Sequence, residues 1–176
     1  MRQCCGMTQY RRWRRNGATY FFTVNLADRS ATALVDHIDQ LRDAFKVTRI
    51  ERPFRIDAAV IMPNHLHTIW TLPHDDSDFS TRWRLIKTRF TRNLGIKQPM
   101  GRSQRAKKEC GLWQRRFWEH LIRDDDDYAN HLQYCLENPV KHGFVTRAID
   151  WPHTSLHRDI RQATPRVGMG EITHPT

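Results

Sequence analysis

The sequence predicts an α+β domain: an antiparallel sheet with helices packed on one face, in the split β-α-β, ferredoxin-like arrangement. Three observations lead there. Short β-branched or aromatic runs alternate with two amphipathic helical stripes in the order strand, helix, strand, strand, helix, strand, and a further helix follows. The chain has 176 residues, enough for one domain with its own core. No run approaches the roughly 20 apolar residues of a membrane span, so no membrane partner is expected.

Each element has its own signal. "YFFTVNL", residues 20–26, reads as the first strand. Leu34, Ile38, Leu41 and Phe45 then recur at helical spacing and form one apolar stripe, with Ser30 or Thr32 as the expected cap. A second strand is expected over 54–62, a break at "MPN", and a third strand over 65–72. Ser80 is the expected N-cap of the next helix. Its stripe is Trp83, Ile86, Phe90 and Leu94, and Gly95 ends it. "RFWEHLIR" supplies the fourth strand. The run Asp124 to Asp127 suits the positive end of a last helix over 127–137, which Asn138-Pro139 is expected to stop. Residues 1–18 then form a basic arm, 19–146 the domain, and 147–176 an irregular tail with Trp151 as its anchor.

Charge points to a polyanion. The chain carries a net +10, and the excess is concentrated. Between Arg82 and Lys108 lie ten Lys or Arg and no Asp or Glu; the remainder balances at 19 basic and 19 acidic residues. Arg82, Arg84, Lys87, Arg89 and Arg92 fall on the helix, and the others in the loop that follows it. A second cluster, Arg11, Arg12, Arg14 and Arg15, surrounds Trp13. Basic side chains with an interleaved aromatic suit phosphate backbones and stacked bases. The alternative for the arm is a solvated tail. The four cysteines form no C-x-x-C pair, which argues against a structural zinc or a disulfide framework. A reducing compartment, the cytoplasm, follows from that. Nothing in the apolar patterning demands a second copy, so a monomer is expected, with a dimer as the alternative.

"MPNHLHTIW" carries the chemistry. On a strand, His65 and His67 project side by side while Leu66 points to the opposite face. Two adjacent imidazoles suit a divalent metal. A bare His-x-His is more often a pair of partly exposed sheet histidines bonded to neighbours, and a third ligand is needed to raise the metal reading. The last helix offers Asn138, with His131 as an alternative. With Leu132 and Leu136 on its core side, Tyr134 falls on the polar face, one turn from Asn130 and Asn138. A metal polarises a scissile phosphate, and a phenol can attack it to form a covalent intermediate.

The blocks "IMPNHLHTIW", "FWEHLIRD" and "YCLENPVKHGFV", with "YFFTVNL", "ERPFRIDAAV" and "DWPHTSLHRD", resemble the REP-associated tyrosine transposases. His65-Leu66-His67 fits the HUH signature of that superfamily, and the likeness covers most of residues 10–160. The resemblance implies a ferredoxin-like HUH domain that binds single-stranded DNA carrying a hairpin from palindromic repeats. It implies nicking with Mg²⁺ or Mn²⁺, His65 and His67 as ligands and Tyr134 as nucleophile, leaving a 5′-phosphotyrosine and a free 3′-hydroxyl. Related insertion-sequence transposases place a Gln four residues after the Tyr. Here Asn138 stands there, one methylene shorter, and leaves the third ligand open. The competing functions are a domesticated protein that holds hairpins without cutting and a nuclease that uses water instead of Tyr134.

Overall fold

The computed structural model describes residues 13–95 and 111–163. β1 (Thr19–Asn25) leads through α1 (Ala33–Asp36) and α2 (Ile38–Glu51) to β2 (Arg55–Ile61) and β3 (His65–Thr71). α3 (Phe79–Asn93), β4 (Trp118–Leu121), α4 (Asp125–Lys141), a 3-10 turn (Ala148–Asp150) and α5 (Leu156–Ala163) complete the order. The sheet runs β2-β3-β1-β4 with every neighbour antiparallel. That is the order the split β-α-β pattern generates.

Strand alternation divides the sheet into two unlike faces. Tyr20, Phe22, Val24, Leu66 and Trp70 point to the layer of α2 and α3 and are all at most 1 % exposed. There Trp70 and Trp83 stack at 4.3 Å. Phe21, Ala58, Val60 and Ile69 point the other way, onto Tyr128, Leu132 and Cys135 of α4. The helices between strands thus share one face, as expected, and α4 covers part of the other.

Local signals were overridden at several points. The first stripe is two helices, broken at His37, and Thr32 gives its hydroxyl to Asp36 Oδ2 (2.5 Å) instead of capping a backbone N–H. Asp78, not Ser80, caps α3, its carboxylate accepting from Thr81 N at 3.0 Å. Gly95 ends α3 with φ +61, as expected. Asn138-Pro139 does not stop α4, which continues to Lys141. Pro inside a helix costs about 3 kcal/mol locally. Here Asn138 and Pro139 are both buried, and His142 N and Phe144 N donate to their carbonyls at 3.0 Å. Gly143, φ +71, makes the turn that ends α4.

The tail is not irregular from 147 onward. Trp151 is the anchor, its Nε1 donating to Ile61 O at 2.9 Å. Ser155 N donates to Ala59 O and Ile61 N to His153 O, so the segment pairs with β2. α5 follows, and Arg158 donates to Ile56 O and Asp57 O. The open edge of the sheet is thereby covered. Leu156, Ile160 and Ala163 keep helical spacing there, but a run of eight residues is too short for that spacing to identify a helix.

A candidate active site on the open face of the sheet

β3 brings the two histidines to the α4 face, opposite Asn25 and Thr23 of β1. His67 is 3 % exposed, lies flat against Phe21 at 5.5 Å, and has Nδ1 at 2.9 Å from Thr23 Oγ1. Burial, with smaller contributions from His65 and His142, pushes its pKa down to about 3. Burial also lowers His65, against the Asn138 amide oxygen, which would favour the protonated ring. Both rings are therefore neutral at pH 7, the form that ligates metals. The ring centroids are 5.0 Å apart.

α4 supplies the rest from one stripe, since Tyr134, Asn138 and Lys141 recur at spacings of four and three. Asn138 is 2 % exposed, with Oδ1 3.2 Å from His65 Nε2. The Tyr134 ring is 42 % exposed, 5.2 Å from the His67 ring and 5.9 Å from Phe21. Lys141 Nζ sits 4.6 Å from the phenol centroid, a placement that stabilises negative charge developing on the ring. The exposed His142 brings its ring to 5.3 Å from His65.

The donor set fits a divalent cation. Asn64 Nδ2 donates to Arg29 O, so its Oδ1 is the acceptor that faces His65 Nδ1 at 2.6 Å. A neutral imidazole has one N–H, and Nδ1 uses it here. The lone pair on His65 Nε2 then faces Asn138 Oδ1, another acceptor. Two acceptors 3.2 Å apart are poor neighbours without a cation, and that spacing is close to the edge of an octahedron with bonds of about 2.1 Å. Thr23 and Asn64 hold the Nδ1 atoms, which leaves both Nε2 atoms for a metal. The Asp57 carboxylate, on β2, accepts from Arg55 and Thr71.

A second cluster escaped the sequence reading, which gave His120 no role and His131 only that of an alternative ligand. Asp127 holds both: its Oδ2 lies 2.8 Å from His120 Nε2, and its backbone carbonyl accepts from His131 Nδ1 at 2.8 Å. Burial works against the Asp127 carboxylate, but bonds from His120 and Arg123 outweigh it and hold the pKa well below the usual range. His120, Asp127 and His131 bring ligand-type atoms within 4.8 Å of one another. Arg123 Nε, 3.1 Å from Asp127 Oδ2, already balances the carboxylate. The detectable signal was the i, i+4 spacing of Asp127 and His131.

The basic helix needs correction. Arg82 is 1 % exposed and is not available to DNA. It pairs with Asp76 at 2.7 Å and donates to the carbonyls of Asp78, Pro53 and Arg52, tying α3 to the end of α2. Lys87 donates to Gln114 O over the rings of Trp113 and Phe117, and Arg89 donates to Thr48 and Glu51. Arg84 and Arg92 are exposed. All five lie on the layer away from His65 and His67. In the arm, Trp13 is 79 % exposed, and Arg14 donates to Ser80 Oγ at 3.0 Å, which fixes it to the start of α3. Arg15 is exposed too. Arg11, Arg12 and the basic loop after α3 lie outside the described residues.

No protein-family model matches the chain. An Escherichia coli K12 protein, a REP-associated tyrosine transposase, is 44 % identical over 168 residues, covering 95 % of this chain and 94 % of its own. A Haemophilus influenzae protein with the same family name is 46 % identical over 156 residues, 88 % of this chain and 89 % of its own. A solved structure of a REP-associated tyrosine transposase bound to a REP hairpin matches with a TM-score of 0.80 at 43 % identity, covering 97 % of this chain and 96 % of that one.

Proposed function

The chain belongs to the REP-associated tyrosine transposases, and on that premise we propose that it nicks single-stranded DNA beside a hairpin, with Tyr134 as nucleophile. The observation that carries this reading is the meeting of two elements: Tyr134 is 5.2 Å from His67, and Asn138, one turn along the same helix, is 3.2 Å from His65. A nucleophile and a ligand set thus converge on one patch. His65, His67 and Asn138 would hold Mg²⁺ or Mn²⁺, which supplies charge neutralisation on the scissile phosphate.

This chain's own residues do the remainder. The Tyr134 hydroxyl oxygen attacks phosphorus and gives up its proton, which Lys141 eases by stabilising the developing phenolate. The bond from phosphorus to the 3′ oxygen breaks, that oxygen takes up, through solvent, the proton released by Tyr134, and the 5′ phosphate stays on Tyr134. The phosphodiester energy is kept for rejoining. His65, His67, Asn138, Tyr134 and Lys141 all come from one chain, so one copy is enough to build the site. The partner is hairpin-bearing single-stranded DNA, and Arg84, Arg92, Trp13, Arg14 and Arg15 are the exposed candidates for its backbone. Among the described residues no helix is long and apolar enough to cross a membrane. We place the protein in the cytoplasm, with its DNA.

The test is a labelled hairpin oligonucleotide from the host's palindromic repeats, incubated with Mg²⁺ or Mn²⁺ and resolved on a denaturing gel. Wild type is expected to give a protein-linked band that requires metal and disappears in Tyr134→Phe and His65→Ala. Nicking that survives Tyr134→Phe would assign the attack to water. Tight binding without nicking in either metal would leave a hairpin-binding protein in its place.

A further inference from the structure

Beside Tyr134 the sheet leaves an open cavity of about 490 Å³, lined by Phe21, Thr23, Trp118, Asn130, His131 and Tyr134. Such a volume lies within the roughly 300–1,000 Å³ of small-ligand sites. Phe21 is its floor, and the rings of Trp118 and Tyr134 both meet that floor edge-on, at 5.7 and 5.9 Å. Trp118 is 48 % exposed on β4. Its plane is fixed: it lies within 13° of His120 and 20° of His131, and these two stack at 4.4 Å. The Asp127 carboxylate holds that stack from behind. Thr23 pairs with His67 on one side and Trp118 on the other, so the cavity and the histidine pair share one row across the sheet. Asn130 stands at the rim, one turn before Tyr134, with an amide that both donates and accepts.

We infer that this cavity takes an unstacked nucleobase from the single strand next to the phosphate attacked by Tyr134, stacked on Trp118 above the Phe21 floor and read at its edge by Asn130. The inference rests on the proposed function and extends it, because it makes β4 and its His120-Asp127-His131 support a base-selecting element. Aromatic rings in fixed planes suit any base by stacking, whereas an amide at the rim supplies preference. Asp127 acts as a positioning residue through the two histidines.

The experiment uses a hairpin oligonucleotide with single-stranded tails, 2-aminopurine moved through the tails one position at a time, and full-length Tyr134→Phe protein with Mg²⁺. One position is expected to lose at least half its fluorescence on binding, and Trp118→Ala in the same background to remove that loss. With wild type, an abasic residue at that position should slow nicking by about 5- to 150-fold, the range of one stacked base. Trp118→Ala should cost the same on the intact strand and nothing further on the abasic one. Asn130→Ala, an exposed change that leaves the fold alone, should narrow the difference among the four bases at that position. No quenched position, or quenching equal in Trp118→Ala, overturns the inference. A wild type that nicks with full dependence on Tyr134 but is indifferent to Trp118 sinks the base cavity alone. Absence of any covalent product sinks the nicking reading, and the fluorescence still decides the cavity.

Discussion

The two faces of one sheet were built for different ends. On β1, Tyr20, Phe22 and Val24 face the α2-α3 layer and are fully buried, while Phe21 and Thr23 between them face Tyr134, Trp118 and His67. On β3, Leu66 and Trp70 join the packed layer, while His65 and His67 look to α4. Most side chains on the first face are apolar fillers, with Thr68, Glu119 and the Tyr20 hydroxyl as buried polar exceptions. On the second, α4 seals only the β2-β3 side with Cys135, Leu132 and Tyr128, and the β1-β4 side stays open. One face therefore carries the stability that lets the other be underpacked, polar and partly wet.

The sharpest way to break the comparison is to strike each face once. Tyr134→Phe on the open face should reduce covalent product by at least about 10³-fold, since no other hydroxyl replaces the nucleophile. Its stability should stay within about 0.5 kcal/mol, because the ring is 42 % exposed and keeps its contacts. Trp70→Ala on the packed face should cost about 3–5 kcal/mol, read by chemical denaturation. If the two variants exchanged behaviour, the division of labour would be wrong.

Arg82 extends the packed face beyond apolar groups. Arg82→Ala removes a buried guanidinium that satisfies three carbonyls and Asp76. A loss of about 3 kcal/mol is expected, with hairpin affinity per folded molecule unchanged. A folded Arg82→Ala protein with weakened DNA binding would return Arg82 to the DNA contacts.

The open face should also set the acid limit of stability. Folded His67 titrates near 3, against 6.5 when unfolded. Between those values the unfolded chain binds the extra proton. Stability is therefore complete above pH 6.5 and falls as pH drops, by up to about 1.4 kcal/mol per unit from this residue alone. Denaturation at pH 7.5 and 5 should show that slope, reduced in His67→Gln. An unreduced slope would move the acid sensitivity to other groups.

How far the sequence reached follows the same division. The strand order, the facing of Leu66 against His65 and His67, and the display of Tyr134 were readable because side-chain period and helical spacing are local rules. Asp78 displaced Ser80 as a cap because one carboxylate was better placed than a hydroxyl two residues on. Pro139 failed to end α4 because burial and the bonds of His142 and Phe144 outweighed its local cost. Arg82 looked like a DNA ligand because composition cannot tell an exposed charge from one that sews a loop. Trp118, His120, Asp127 and His131 come from two elements whose meeting no spacing in the chain declares.

The smallest expected effect concerns Arg84 and Arg92, the exposed cations of α3. They lie on the layer away from Tyr134, so they can add affinity for DNA without touching the chemistry. The double variant Arg84→Ala/Arg92→Ala should weaken hairpin binding several-fold at low salt. It should lower the slope of log affinity against log salt by about 2, near one counterion per lost phosphate contact. Nicking at saturating DNA should be unchanged, because the cations act on capture alone. Anisotropy titrations at three salt concentrations measure the slope, and single-turnover nicking measures the rest. An unchanged slope would mean the hairpin does not rest on α3. A fall in saturated nicking with an unchanged slope would mean that the packed layer communicates with the open one, and the separation of the two faces would no longer hold.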